Sequence, residues 1–514
     1  MSGRPAVLAA VALLAAAPVA AQTRVDLLIR GGSVYDGNGG APRQADIGIS
    51  GDRIVFVGEA PRGLAATRIV DARGLVVAPG FIDPHTHTDG DVRSPARRGL
   101  PGYLMQGVTT VVTGNDGGGP VDIGSARAEL NRAGVGTNVV YLVGQGSVRR
   151  TVMGMTARAP TAAELGRMRS LVRRAMADGA AGMSTGLYYA PGSYSSTAEV
   201  IALAQEAAAA GGYYDSHLRD ESSYTIGLLG AVDEAIRIGR EAGLPVHISH
   251  LKALGTDVWG KSDEVIARIL TARAAGQRVT ADQYPYTASG TSVGASLLPR
   301  WAEAGGRDSL KARLADAGTR QRIETEMLAN LKRRGGAESL LLTTGRWKGQ
   351  RLPAVAQALG TDSISAAIQV IEAGDASVAS FNMSEADIER FMRQDFVVTG
   401  SDGSAGHPRK YGTFPTKIQV YSLERGVIPF ARAIAASSAR TADIVGLPDR
   451  GRIEPGRFAD IVVLDSAAYA PRSTYEAPEL LATGVRFVVV NGRLAVDGGR
   501  ILPVLAGRAL RPGA

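Results

Sequence analysis

Six histidines in 514 residues carry most of the chemical information: His85, His87, His217, His247, His250 and His407. The first two stand two apart. On an extended chain, residues i and i+2 point to one face. His85 and His87 therefore present two imidazoles side by side, an arrangement that suits a divalent metal. An isolated His-x-His pair often arises by chance, but this one follows Ala78-Pro-Gly-Phe-Ile-Asp-Pro84, a strand that stops sharply. His217 and His250 each end a further apolar strand, and either alone reads as a packed core histidine. Asp402, in Gly400-Ser-Asp-Gly403, is by local sequence a turn residue. These five residues make a metal site only if the fold gathers them. The chain has no cysteine, which excludes disulfides, a cysteine nucleophile and thiolate ligands.

The elements that must do the gathering alternate along the middle of the chain. Short apolar strands are predicted at 80–83, 109–112, 138–143, 182–185, 212–216, 245–249, 278–282 and 396–399. Helical patterns lie between them, for example at 162–178, 196–210 and 225–242. Eight β-α units predict a closed (β/α)8 barrel over 78–445. An open doubly wound sheet is the runner-up, but no glycine-rich phosphate loop follows the first strand. Barrel active sites form at the C-terminal ends of the strands. Five of the histidines lie at or just beyond such ends, and His407 sits in the loop after the eighth strand. The chain between strands seven and eight is far longer than a barrel needs and predicts an inserted subdomain at about 298–375.

The two ends of the chain resemble each other. Alternating strands and turn signals occupy 22–77, and 446–514 repeats that style, with Asn491-Gly492 as a hairpin signal between apolar strands. Together they predict one small β-sandwich built from both ends. Residues 1–21 read as an export signal: Arg4, an apolar run from Ala6 to Ala17 too short to span a bilayer, and a small-residue cleavage site. The expected product is secreted or periplasmic, without a membrane anchor. Apolar residues are 45% and charged residues 21%, ordinary for a folded soluble protein. The formal charge of +8 is scattered rather than clustered, which argues against nucleic-acid binding.

Read together, the segments APGFIDPHTHTD (78–89), GVTTVVTGNDG (107–117), STGLYYAPG (184–192), SHLRDE (216–221), HISHLK (247–252), DQYPYT (282–287), the stretch 400–415 and the stretch 451–465 resemble the D-aminoacylase family. Its members are N-acyl-D-amino-acid deacylases of the amidohydrolase superfamily. The resemblance runs from about residue 25 to 493, in register with every barrel strand but the third. It implies a tight zinc ion held by Asp116, His217 and His250. It also implies a second, weaker metal position using His85, His87 and Asp402, with Asp116 bridging. The family usually carries cysteine in a Gly-Asn-Cys-Gly turn, where this chain reads Gly114-Asn-Asp-Gly117. A carboxylate can ligate zinc and bridge two metals. Strand four offers no lysine for a carboxylated-lysine bridge.

The implied reaction is attack of a zinc-activated water on an amide carbonyl. Asp402 would accept and return the proton, and zinc with the Tyr189 hydroxyl would stabilise the oxyanion. Lys252 and Tyr286 are the implied partners of the substrate's α-carboxylate, with Arg300 a third candidate. His247 and His407 receive no role. The implied partner is a small N-acyl amino acid, and the preference for D stereochemistry rests wholly on the resemblance. A dipeptidase or cyclic-amidase relative on the same barrel, and a non-catalytic secreted binding scaffold, are the competing readings. Retention of all five metal-type side chains argues against the scaffold.

Overall fold

The computed structural model describes residues 24–513. The export-signal reading of 1–21 lies outside those residues. Eight parallel strands form the central layer: Phe81–Asp83, Val108–Thr113, Asn138–Tyr141 continued by Val143–Gly144, Gly182–Gly186, Tyr213–His217, Val246–Ile248, Val279–Gln283 and Val397–Thr399. Neighbours pair in this order through two sheets joined by strand three. A parallel bridge between Thr86 and Gly403 links the first strand's extension to the eighth's. The ring is that of a (β/α)8 barrel.

Several strands, such as Val108–Thr113 and Val397–Thr399, form where the sequence places β-branched runs, and the burial of the strands follows from the architecture. All six residues of Val108–Thr113 are buried, as expected for a parallel sheet covered on both faces. The covering helices are amphipathic. Gly227–Ala242 buries Leu228, Ala231, Val232, Ala235, Ile238 and Ala242, the spacing of one helical face. Ala162–Ala177 begins at a capping box formed by Thr161 and Glu164, which satisfies otherwise orphaned amides.

Two further units flank the barrel. After strand seven the chain leaves to build an antiparallel sheet of Ala288–Ser292, Leu340–Leu342 and Ser377–Phe381. With its helices this unit has its own core, running from Val293 to Val378. The chain ends share a nine-stranded sheet, in which Val76–Pro79 pairs antiparallel with Ile461–Leu464. Strands Val485–Val490 and Arg493–Asp497 meet at Asn491-Gly492, both with positive φ, the conformation that favours this dipeptide in tight hairpins. The last residues return to the barrel, where Gly507 and Ala509 bridge Val135 and Val139. No helix among the described residues is long and apolar enough to cross a membrane.

Candidate metal centre and active-site pocket

The ladders stop short of the residues of interest. Strand two ends at Thr113, strand six at Ile248 and strand eight at Thr399. Asp116, His250 and Asp402 follow two or three residues later, each with a left-handed backbone (φ 54°, 36° and 47°). That region is unfavourable for side chains other than glycine, and such strain concentrates at functional sites. The three left-handed turns aim their side chains back over the barrel mouth.

The turn that carries Asp116 is held from below. Ser184, on strand four, accepts from the Gly117 amide at 3.1 Å and donates to the Gly114 carbonyl. Gly186 permits this approach, since a Cβ there would stand 2.2 Å from the Asp116 carbonyl oxygen. Strand four, which lacks a lysine, supplies this support instead.

Around Asp116 stand four imidazoles. Its Oδ1 lies 3.3 Å from His85 Nε2 and 3.4 Å from His250 Nε2. Its Oδ2 lies 3.4 Å from His87 Nε2 and 3.6 Å from His217 Nδ1. Asp402 Oδ1 is 3.0 Å from His87 Nε2 and 3.8 Å from His85 Nε2. Two atoms bound at about 2.1 Å to one tetrahedral ion stand about 3.4 Å apart, so these spacings match the edges of a metal shell. His85, Asp116, His250 and Asp402 form one compact candidate ligand group, and His217, Glu221 and His250 an adjoining one. Both ring nitrogens of His85, Oδ1 of Asp116 and Nε2 of His217 are buried without a hydrogen-bond partner. Orphaned buried polar atoms are costly, and a divalent cation is what this donor set fits.

The electrostatics agree. Burial opposes the charge of Asp116, but His85, His217 and His250 outweigh it and hold the carboxyl well below its usual range. Burial likewise disfavours charged His87, yet its contacts with Asp116 and Asp402 raise it to about 10. Metal and protons therefore compete for the same nitrogens. Beneath the cluster, His247 Nε2 is 3.1 Å from Asp282 Oδ2 and its Nδ1 is 2.9 Å from Thr280 Oγ1. His247 is thus a packed support outside the ligand groups.

The cluster opens into a cavity of about 530 Å³ lined by His87, Asp116, Tyr189, Thr291, Asp402, His407 and Arg409. His407 donates from Nε2 to the Ala288 carbonyl at 3.0 Å and accepts the Arg409 amide on Nδ1. Arg409 was not foreseen among the site residues. It is buried, and its Nη1 lies 2.7 Å from Asp402 Oδ2. A narrower inner chamber adjoins the cavity, lined by Tyr189, His217, Glu221, Lys252, Tyr284 and Arg334 among others.

Of the expected site residues, Asp116, His85, His87, His217, His250, Asp402 and Tyr189 come together. Lys252 is also present, with Nζ 2.6 Å from Glu221 Oε1 and 2.7 Å from His250 Nδ1. Tyr286 and Arg300 do not line either space. The Tyr286 hydroxyl is 3.2 Å from Thr416 Oγ1. The strand has ended at Gln283, so its alternation no longer sets side-chain direction, and Tyr284 takes the inward place. Arg300 is engaged with Glu303 at 2.7 Å and the Ala295 carbonyl at 2.5 Å. Glu221, Tyr284 and Arg409 lie within SHLRDE, DQYPYT and 400–415, so their segments were visible although their directions were not.

A carboxylate ringed by imidazoles at the C-terminal mouth of a (β/α)8 barrel defines a class of metal-dependent barrel. The chain belongs to the amidohydrolase family, whose pattern matches residues 68–496. It is 35% identical to a D-aminoacylase of Alcaligenes xylosoxydans xylosoxydans, over 91% of this chain and 93% of that protein. It is equally identical, at 35%, to an N-acyl-D-glutamate deacylase of the same organism, over 92% of this chain and 93% of that protein. The solved N-acyl-D-glutamate deacylase from Bordetella bronchiseptica, complexed with zinc and a phosphonate inhibitor, superposes with a TM-score of 0.82 at 30% identity. That match covers 95% of this chain and all of the other.

Proposed function

We propose that this protein is a zinc-dependent deacylase of N-acyl-D-amino acids. The observation that carries the reading is Asp116 facing four imidazoles, with Asp402 and Arg409 paired across the same cavity. The full-length likeness to D-aminoacylase and N-acyl-D-glutamate deacylase supports the substrate class and the D preference. Zinc is favoured by the nitrogen-and-oxygen donor set and by the zinc-containing relative. Asp116, His217 and His250 would hold the tighter ion; His85, His87 and Asp402 would hold a second, sharing Asp116. When bound, the metal supplies Lewis acidity and lowers the pKa of water toward about 7.

The chain's own groups do the rest. Asp402 stays ionised, because Arg409, His250 and His87 overcome its burial and hold it well below the usual carboxylate range. It can therefore accept a proton from the attacking water and return it to the departing amine. Burial pushes the Tyr189 hydroxyl up, beyond its ordinary range, so it keeps its proton and can donate to a developing oxyanion. Arg409, Lys252 and Tyr284 supply the donors for an α-carboxylate. Export to the periplasm or beyond is supported by the sequence of residues 1–21 alone. A purified mature chain that begins near Gln22 is the expected result of N-terminal mass analysis.

The test is a panel of N-acetyl-amino acids in paired D and L forms, with elemental analysis of the protein. Zinc in the protein, turnover of D forms only, and loss of both with a strong chelator are expected. Full activity after removal of all metal would overturn the reading. The carboxylate clamp has its own test. Tyr284→Phe and Lys252→Met are expected to lower kcat/KM for free acids about 10-fold or more, and far less for the corresponding neutral amides. Tyr286→Phe is expected to leave both substrates within a few-fold. Equal losses on acid and amide from Tyr284→Phe and Lys252→Met would show that those two residues act structurally.

A further inference from the structure

His407 lies buried in the loop after strand eight, and both of its ring nitrogens are engaged. A backbone carbonyl can only accept and a backbone amide can only donate. Nε2 therefore carries the proton that goes to the Ala288 carbonyl at 3.0 Å, and Nδ1 is the bare nitrogen that receives the Arg409 amide at 3.1 Å. That pattern needs the neutral ring. Burial and the nearby Arg409 charge agree with it, holding His407 well below the ordinary histidine range. Tyr475 and Tyr286 wall the ring in edge-to-face contact, with centroids 5.2 and 5.6 Å away.

The imidazole joins two segments that reach the barrel mouth from different units. Ala288 opens the first strand of the inserted unit, and Arg409 opens the short helix Arg409–Pro415. The Arg409 amide is one of the donors that a helix start leaves without an internal partner, and the ring supplies the acceptor. Gly290, two residues along the same strand, leaves the room. A Cβ there would stand 2.9 Å from Arg409 Nη2 and 3.3 Å from His407 Cδ2. At its far end the Arg409 guanidinium meets Asp402 at 2.7 Å and Ser404 Oγ at 3.1 Å, and it lies over the Tyr284 ring at 4.7 Å. Its Nε is buried without a partner, a donor that a bound carboxylate would satisfy.

We propose that His407 is the positioning residue for Arg409. By tying the Arg409 main chain to the inserted unit, it fixes where the guanidinium meets Asp402 and the α-carboxylate of the substrate. Both ring nitrogens are spent on the tie, so His407 acts through Arg409 and offers no polar atom to the substrate. The carboxylate half of the proposal rests on the deacylase reading; the tie itself does not.

The test is a double-mutant cycle on kcat/KM, with an N-acetyl-D-amino acid and its neutral amide as substrates. His407→Ala is expected to lower kcat/KM for the acid about 10-fold or more, the scale of a misplaced group, and for the amide by clearly less. In an Arg409→Met background the same substitution should cost less than about 3-fold, because the group it positions is gone. Equal fold-losses in the two backgrounds, or on acid and amide, would mean a merely structural histidine and overturn the proposal. His407→Asn keeps an oxygen near the place of Nδ1 and is expected to recover much of the loss. His407→Gln reaches only toward the Ala288 carbonyl and is expected to behave like alanine. The reverse order of these two overturns the proposal, and they decide it if the alanine variant does not fold. Crystal structures give a readout without turnover: in His407→Ala the Arg409 guanidinium is expected to leave Asp402, and one that stays paired overturns the tie. A wild type that turns over no N-acyl-D-amino acid defeats the deacylase reading, while the structural comparison still decides the tie.

Discussion

Replacing Asp402 by Asn is expected to lower kcat by about 10²–10⁴, the usual contribution of a positioned general base, while the protein retains its tighter metal ion. The expectation follows from where the two carboxylate oxygens point. Oδ1 is 3.0 Å from His87 Nε2 and faces the metal-type cluster, and Oδ2 is 2.7 Å from Arg409 Nη1 and faces the cavity. Asn keeps the shape and can still accept hydrogen bonds, but it cannot take up a proton at neutral pH. The proposed tighter shell of Asp116, His217 and His250 does not include this residue. Arg409 loses its counter-charge in the variant, so some loss of thermal stability accompanies the catalytic defect. Single-turnover kinetics beside elemental analysis separate the effects. Turnover within a few-fold of wild type would remove Asp402 from the proton-transfer role. Loss of all metal would place it in the tighter shell instead.

The barrel was legible because short strands, most of them apolar, alternate regularly with helical patterns. Each predicted strand overlaps an observed one. His85 and His87 were legible for the same reason: period-two alternation persists past the end of strand one, where Thr86 still bridges to Gly403. Direction failed where the ladder ends. Tyr284 and Tyr286 both follow strand seven, and no local signal says which turns inward. Arg300 sits at the edge of the inserted unit, whose first strand, Ala288–Ser292, is Ala-Ser-Gly-Thr-Ser. That strand carries no apolar alternation, and its partner lies at Ser377–Phe381, which pairs in turn with Leu340–Leu342. Pairings so distant cannot be read from local pattern, and the inner chamber that Ser289, Gly290 and Thr291 help to line could not be foreseen. Arg409 was hidden differently. It stands two residues after His407 in a stretch already singled out, but only the fold shows that its guanidinium meets Asp402.

Removing the Asp116 carboxylate is expected to have an effect at least as large. Asp116→Ala should lose the tightly held metal and nearly all activity. In the native protein this one side chain lies within 3.6 Å of all four imidazoles. Without it, His85, His87, His217 and His250 face one another with no anion among them, so protonation on one ring opposes protonation on the next. Two explanations for the Asn115-Asp116-Gly117 sequence can then be told apart. A turn residue owes its place to the left-handed backbone, which Asn also adopts readily. A ligand owes it to the anionic oxygens. Asp116→Asn should therefore preserve the turn and the fold, measured by thermal unfolding, yet still lose most of the metal. Asp116→Cys should restore zinc, because thiolate is a strong zinc ligand. It should also make activity sensitive to peroxide, to which the cysteine-free parent is indifferent. A full metal complement and normal turnover in Asp116→Ala would show that the four imidazoles hold the ion without a bridge. The carboxylate would then be only the residue that closes the turn.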